Sequence, residues 1–222
     1  MPVSRWDAMA PLSGIAFFVL VVAGNALQGS TPALHGEAEA VAEFYADRPT
    51  LIAIGMSLSL VALFFLAWFV GSLRQALVRA DGHDGRLSAI ASSGGVAAIA
   101  LLAAGFALNS AGALRAQEAG SIPPETAAVF YDGGLALTGL AAPLAMAVLL
   151  SATAAVVFRS RAFPRWFGWL SAVLAVLGVV TPLSFVLFLV FPVWVLVASI
   201  LVYRHERPEA GAHDSHVSAS AM

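Results

Sequence analysis

Six long apolar stretches dominate the sequence and constrain its fold more than any other feature. A soluble domain carries about 25% charged residues, whereas only 11% of this 222-residue chain is charged and 60% is hydrophobic. A helix that crosses a bilayer needs about 20 apolar residues. The pattern therefore predicts an all-α polytopic membrane protein with six transmembrane helices. The predicted helices are Pro11–Leu27, Leu51–Leu73, Leu87–Leu108, Leu135–Phe158, Trp166–Val180 and Leu183–Tyr203.

Two of these stretches allow more than one interpretation. The first has 17 residues and ends in small residues like a signal peptide, but Arg5 is offset by Asp7, so we interpret it as a retained anchor. The last 38 apolar residues, 166–203, would make a single helix of about 57 Å, nearly twice the membrane core. Pro182 disfavours helix at Thr181. Residues 159–203 are therefore predicted to form a C-terminal transmembrane hairpin.

The arginines predict the orientation in the membrane. With the N-terminus in the cytoplasm, nine of the eleven arginines fall inside, and only Arg48 and Arg115 fall outside. Both termini are then cytoplasmic, with residues 1–10 as a short N-terminal segment and 204–222 as a disordered tail. Trp166 and Trp169, beside three of the inner arginines, fit an aromatic belt.

A short phrase occurs twice, 86 residues apart. "EAVAEFY" at 39–45 and "ETAAVFY" at 125–131 share a Glu-x4-Phe-Tyr frame, and each follows a Gly-Ser-x-Pro turn. Because two predicted helices lie between the copies, both fall on the outer side. The phrase predicts two parallel helix-pair repeats within residues 11–158, with short outer helices at 32–47 and 124–132. The alternative is coincidence in an alanine-rich chain.

The first outer helix is predicted to be amphipathic, with Thr31 as its N-cap and Pro32 in its first turn. Its polar face offers His and Glu four residues apart, a spacing that can hold a metal ion, but the second copy has no histidine. We therefore expect an acidic face in water. The apolar face comprises Leu34, Ala38, Val41 and Tyr45, and the polar face comprises His35, Glu39, Glu43 and Asp47.

The predicted membrane interior offers little chemistry. No ionisable residue lies inside a span, cysteine and lysine are absent, and all histidines fall outside the spans. We expect no catalytic residue, metal or cofactor. The polar residues near the outer side are instead predicted to line an outer vestibule. These candidates are Asn25, Glu39, Tyr45, Asn109, Glu125, Tyr131 and Asp132.

The C-terminal hairpin carries a resemblance. With "PRWFGWL" at 164–170 and "FPVWVLVASILVYR" at 191–204, the chain resembles uncharacterised actinobacterial multi-pass membrane proteins that end in a Pro-Arg-Trp-x-Gly-Trp-Leu hairpin. The match covers roughly residues 157–204. The resemblance implies a bacterial plasma membrane location and the helix count, and it carries no functional residue.

Three functions remain open at the level of sequence. The first is a non-catalytic plasma membrane protein whose outer side forms a vestibule or a docking surface. The second is a passive transporter or permease for a small or lipophilic molecule, and the third is a membrane-surface enzyme. Expected partners are the lipid bilayer and another membrane protein or a second copy. A net charge of −2 gives no reason to expect nucleic acid.

Overall fold

Seven α-helices account for the ordered architecture. The computed structural model describes residues 12–32, 36–81, 85–160 and 162–219, and this part of the chain contains no strand. Residues 1–11, together with Leu34 and His35, lie outside the described residues. The helices are α1 Ser13–Gln28, α2 Ala38–Asp47, α3 Pro49–Asp81, α4 Arg86–Ala119, α5 Pro124–Ser160, α6 Arg165–Val179 and α7 Thr181–Ala219.

In the part of the chain that the structure describes, four helices are long and apolar enough to cross a membrane: α3, α4, α5 and the Leu183–Arg204 part of α7. The prediction of six transmembrane helices is therefore wrong, because α1 and α6 are apolar but have only 16 and 15 residues. Helices of that length fall short of about 30 Å of hydrocarbon. Helix α1 ends before Gly29, whose φ of 72° is incompatible with helix, and α6 ends at the turn around Val180.

Six helices form a closed bundle in which α7 returns to meet the first helix. Helix α1 packs on α3, α3 on α4, α4 on α5 and α5 on α6, while α7 lies between α6 and α1. Trp194 of α7 fills the centre: its ring stacks on Phe167 and Phe191 at 5.6 and 5.8 Å, and Phe69 meets it edge-on. The indole Nε1 donates to Ser171 Oγ at 2.9 Å, so its polar atom is satisfied inside the bundle.

Glycines allow the closest helix crossings. A Cβ on Gly24 of α1 would lie 2.6 Å from the carbonyl oxygen of Gly55 of α3, and a Cβ on Gly105 of α4 would lie 2.9 Å from that of Gly134 of α5. Gly105 therefore brings the backbones of α4 and α5 into contact. Gly95 is different, since it faces Val70 of α3.

Helix α5 is continuous where the sequence predicted a separate outer helix at 124–132. It begins at Pro124 as expected, but it runs on through a π-helical turn, Leu137–Ala141, just before Pro143. Proline has no N–H, so the Gly139 carbonyl lacks its usual helical donor. Ser184 Oγ of α7 donates to that carbonyl at 2.8 Å instead. The helix thus accommodates Pro143 through a π turn and continues past it.

The same hydrogen bond locates the turn between α6 and α7. Ser184 lies beside Gly139, and a Cβ on Gly178 would lie 2.7 Å from the Pro143 carbonyl oxygen. The turn at Val180 therefore packs against the middle of α5, within the apolar part of the bundle. The backbone of the turn is bonded locally, since the Leu183 N–H donates to the Val180 carbonyl at 2.8 Å.

Two predicted boundaries differ from the structure. The outer helix was placed at 32–47, but α2 begins at Ala38, with Glu37 in extended conformation as its N-cap, so Thr31 and Pro32 are not its first turn. Gly36 disfavours an earlier start. Residues 204–219 were predicted to be disordered, whereas α7 continues to Ala219. Adding a residue to an existing helix costs far less than starting one.

Charge separates to the two ends of the bundle. The acidic end carries seven described carboxylates and two arginines, and the opposite arginine end, counted up to Arg204 of α7, carries six arginines and one carboxylate. The acidic end contains Glu37, Glu39, Glu43, Asp47, Glu118, Glu125 and Asp132, with Arg48 and Arg115. The arginine end contains Arg74, Arg79, Arg86, Arg159, Arg165 and Arg204, with Asp81.

Candidate functional site

The two copies of the repeated phrase meet at the acidic end. Tyr45 of α2 and Tyr131 of α5 are 0% and 3% exposed, and their ring centroids lie 6.4 Å apart, nearly perpendicular. Phe44 touches both rings, at 5.5 and 5.9 Å. Edge-to-face rings at such distances stabilise each other beyond their burial. We call Phe44, Tyr45 and Tyr131 the aromatic cluster. Its ring contacts pack α2 against the bundle.

Each tyrosine hydroxyl reaches the other half of the chain. Tyr45 Oη donates to Asn109 Oδ1 of α4 at 3.0 Å, and Asn109 Nδ2 donates onward to the Gly105 carbonyl at 3.2 Å. Tyr131 Oη donates to the carbonyl of Pro32, in the loop before α2, at 2.6 Å. Asn109 is 4% exposed, so a buried polar chain joins α2 to α4.

Two glycines make room for this chain. A Cβ on Gly112 of α4 would lie 2.8 Å from Tyr45 Cζ and 3.0 Å from its hydroxyl oxygen. A Cβ on Gly134 of α5 would collide with Asn109 Nδ2. Contacts this close exclude even alanine without rearrangement. Neither glycine was predicted to make room for these side chains, although Gly112 follows Asn109 by three residues on α4 and Gly134 follows Tyr131 by three residues on α5.

Burial changes the acidity of Tyr45. Removal from water disfavours the phenolate, and nearby Tyr131 and Asp132 oppose its negative charge further, so the pKa of Tyr45 lies above its ordinary value. The phenol therefore stays protonated and keeps its donor for Asn109 at neutral pH. An easily deprotonated phenol would be a base, whereas this one is a structural donor.

The predicted vestibule residues do not form one group. Tyr45, Asn109 and Tyr131 come together with half-buried Asp132 next to Tyr131, and they pack against one another. Glu39 and Glu125 are exposed on the surface around them. Asn25 lies apart, in a cleft lined by α1, α4, α5 and α7. Asn25 and Asn109, which lie near the ends of the first and third predicted helices, therefore have different surroundings.

An open groove runs beside the aromatic cluster. It has a volume of about 690 Å³ and lies between the end of α1, the following loop, α2 and the start of α3. Gln28, Phe44 and Glu43 line it, and Arg48 pairs with neighbouring Asp47 at 2.9 Å on its edge. The groove follows the surface of α2 and does not reach Asn109, which is not among its lining residues.

The acidic residues do not gather as metal ligands. Among the described residues, no three His, Asp or Glu side chains lie close enough to hold an ion. Glu39, Glu43 and Asp47 are exposed along α2, as predicted for a solvated face, while His35 lies outside the described residues. The arrangement offers a charged surface over a buried polar and aromatic layer.

Comparison with known proteins adds no family. No protein-family model, no curated protein and no solved structure matches the chain.

Proposed function

We propose that this chain is a non-catalytic integral membrane protein whose acidic end docks another membrane protein. The observation that carries this proposal is the closed aromatic cluster beneath exposed carboxylates. Tyr45, Tyr131 and Asn109 are buried between α2 and the rest of the bundle, whereas Glu39 and Glu43 are exposed to solvent. The closed layer is also the reason that we place docking ahead of passage of a small or lipophilic molecule.

A fixed surface favours docking because less order is lost on binding. Helix α2 is held by ring contacts and by the Tyr45–Asn109 bond, so its outer face is preorganised. Seven carboxylates against two arginines at this end favour a partner that presents basic side chains. We therefore assign a basic segment of another membrane protein as the occupant.

The orientation belongs to the same proposal. We place the acidic end outside a bacterial plasma membrane and the arginine end, with both termini, in the cytoplasm. The six described arginines at one end support this orientation. Trp166 and Trp169, 54% and 66% exposed next to Arg165, suit an aromatic belt at that boundary. Membership of the actinobacterial group with the Pro-Arg-Trp-x-Gly-Trp-Leu hairpin is proposed on residues 157–204 alone.

We also infer that residues 11–73 and 87–158 are two parallel repeats. Support comes from the tyrosines at equivalent places in the two phrases, which lie at the same level and each bond to the other half. Each half also contains a close contact between two glycines, Gly24 with Gly55 and Gly105 with Gly134. The two halves differ in two respects. Helix α5 is continuous where the first half has the separate helices α2 and α3, and Asn25 has different surroundings from Asn109.

Photo-crosslinking in native membranes tests the docking proposal. A photoreactive phenylalanine analogue at Glu43, on the exposed face of α2, is expected to give one adduct of fixed mass with a protein other than this chain. Charge reversal at Glu39 (Glu39→Arg) should weaken that adduct, as should raised salt. The matched control is the same analogue at Gln75, exposed near the arginine end, which should not give the adduct.

Three outcomes would overturn it. They are no adduct at Glu43, an adduct insensitive to Glu39→Arg and salt, or an adduct at twice the mass of this chain. The last result would identify a second copy as the occupant.

A further inference from the structure

An apolar cleft in the side of the bundle is separate from the acidic end. It has a volume of about 300 Å³ and is bounded by α1, α4, α5 and α7. Its floor is built from buried side chains of all four helices. They are Phe17 and Val21 of α1, Leu102 and Phe106 of α4, Met146 of α5 and Phe191 of α7.

The mouth of the cleft faces outward between α1 and α7. Val22, Leu189 and Val193 form its rim and are 47%, 59% and 48% exposed. The rim lies beside the Leu183–Arg204 stretch, which is long and apolar enough to span a membrane. Large apolar side chains on such a surface face hydrocarbon, so an occupant would enter the cleft from the bilayer.

The polar groups of the wall accept hydrogen bonds. One N–H of Asn25 Nδ2 donates to the Val21 carbonyl at 2.8 Å, and Oδ1 of this exposed amide remains as an acceptor. Pro192 has no N–H, so the Phe188 carbonyl lacks its donor four residues along α7. None of the cleft-lining residues carries a charge. The wall therefore suits a neutral molecule that brings a donor.

We propose that the cleft binds a neutral lipophile with a hydroxyl group, drawn from the bilayer. The hydrocarbon body lies between α1 and α7 along Phe17 and Val21, and the hydroxyl donates to Asn25 Oδ1. Asn25 lies one turn before the end of α1 at the acidic end, so the polar end of the molecule faces that boundary and its tail points inward. This inference is independent of the docking proposal, which concerns α2.

The size of the cleft limits the ligand. Ligand pockets have volumes of about 300–1,000 Å³, and this one, at about 300 Å³, is at the small end. From Phe17 to Asn25 the helix rises about 12 Å. A single alkyl chain or a small ring system fits these dimensions, whereas a two-chain phospholipid does not.

The test uses the full chain in lipid nanodiscs with a photoreactive diazirine analogue of 1-decanol. Labelled peptides are expected to come from α1 and from residues 188–193 of α7. Competition with 1-decanol, decane and decanoate follows. We expect 1-decanol to compete about tenfold better than decane, the factor that one hydrogen bond supplies. Decanoate should compete poorly, because the wall offers its charge no partner.

Two variants assign the site. Asn25→Leu should remove the preference for decanol over decane while the label stays in the cleft. Val22→Trp should fill the mouth and reduce labelling of the cleft peptides at least fivefold. Because Val22 is exposed, this change leaves the buried packing intact. Its matched control is Val96→Trp on the exposed face of α4, which should leave labelling unchanged.

Each remaining outcome overturns the proposal. Labelling spread evenly over the exposed apolar faces would show ordinary contact with surrounding lipid. Equal competition by decane and decanol in the unaltered protein would show an acyl-chain groove with no hydroxyl recognition. Labelling unaffected by Val22→Trp would place the ligand elsewhere.

Discussion

At position 45 a single hydroxyl decides how α2 is held. Tyr45→Phe keeps the ring but leaves Asn109 Oδ1 buried without the donor that it has at 3.0 Å. An orphaned buried acceptor costs about 1–3 kcal/mol. We expect the free energy of unfolding to fall by that amount, measured by circular dichroism during SDS-induced unfolding in mixed micelles. Asn109→Leu should cost a similar amount.

The double variant distinguishes a bonded pair from two separate effects. With Tyr45→Phe and Asn109→Leu together, neither partner is orphaned, so the cost should be smaller than the sum of the single costs. Additive costs would contradict a direct bond between the two side chains.

The raised pKa of Tyr45 predicts how stability depends on pH. The folded state favours the protonated phenol, so its contribution is fully present below the unfolded pKa of 10.0 and is lost as pH rises above it. The free energy of unfolding should therefore fall above pH 10, and less steeply in Tyr45→Phe. Ultraviolet absorbance of tyrosinate checks the cause, because the latest-titrating phenol should be missing from Tyr45→Phe. Identical titration curves would contradict this assignment.

At the scale of the element, α1 and α3 pack through direct contact of their backbones at glycines instead of through large side chains. Gly55→Ala places a methyl group 2.5 Å from the Gly24 carbonyl oxygen, so α1 must move away from α3. Overpacking of this kind costs about 1–3 kcal/mol. The matched control is Gly71→Ala in the same helix, where a Cβ would meet nothing within 4 Å. It should be neutral or stabilise the helix by up to about 1 kcal/mol.

Thermal unfolding in detergent, followed by size-exclusion chromatography, compares these variants. Equal melting temperatures for Gly55→Ala and Gly71→Ala would show that α1 and α3 do not cross at Gly24 and Gly55.

The repeat predicts matched roles for two phenylalanines. Phe44 and Phe130 precede the two tyrosines, and both are half-buried against the core. If the halves are equivalent, Phe44→Ala and Phe130→Ala should cost similar free energy, less than the cost of about 3–5 kcal/mol for a fully buried ring because both are half-buried. The same SDS titration measures both. A cost for Phe44→Ala several times that for Phe130→Ala would show that the phrase recurs without structural equivalence.

At the scale of the whole molecule, the separation of charge predicts sidedness. The absence of native cysteine makes thiol labelling clean. In intact cells an impermeant thiol reagent should label Ala46→Cys, exposed on α2. It should label Ser218→Cys only after lysis, because six described arginines lie at the opposite end. Labelling of Ser218→Cys in intact cells would reverse the proposed orientation.

Hydrophobic periodicity and helix-breaking residues allowed part of this structure to be predicted from the sequence. The helical class, the break near Pro182 and the exposed acidic face of α2 follow from local chemistry. The start of α2 at Ala38 and the continuity of α5 past Gly133 and Gly134 were not readable. In α5, Gly134 lies against Asn109 and Gly105 of the neighbouring helix α4. That contact joins residues far apart in the sequence, so no local pattern around Gly133 or Gly134 predicts it.

The sequence by itself indicated the solvent that suits this chain, because long apolar stretches with so few charges are compatible with a membrane. It also determined that Tyr45 and Tyr131 lie at one end, because an even number of long helices separates them. Only the tertiary structure decided that the tyrosines meet, that Tyr45 bonds Asn109, and that Asn25 lies instead at an apolar cleft. The physical reason is the separation along the chain over which each interaction acts. Helix formation and hydrophobicity depend on neighbours in sequence, whereas these contacts depend on how helices rotate and cross, which small residues such as Gly112 permit only once the whole bundle has closed.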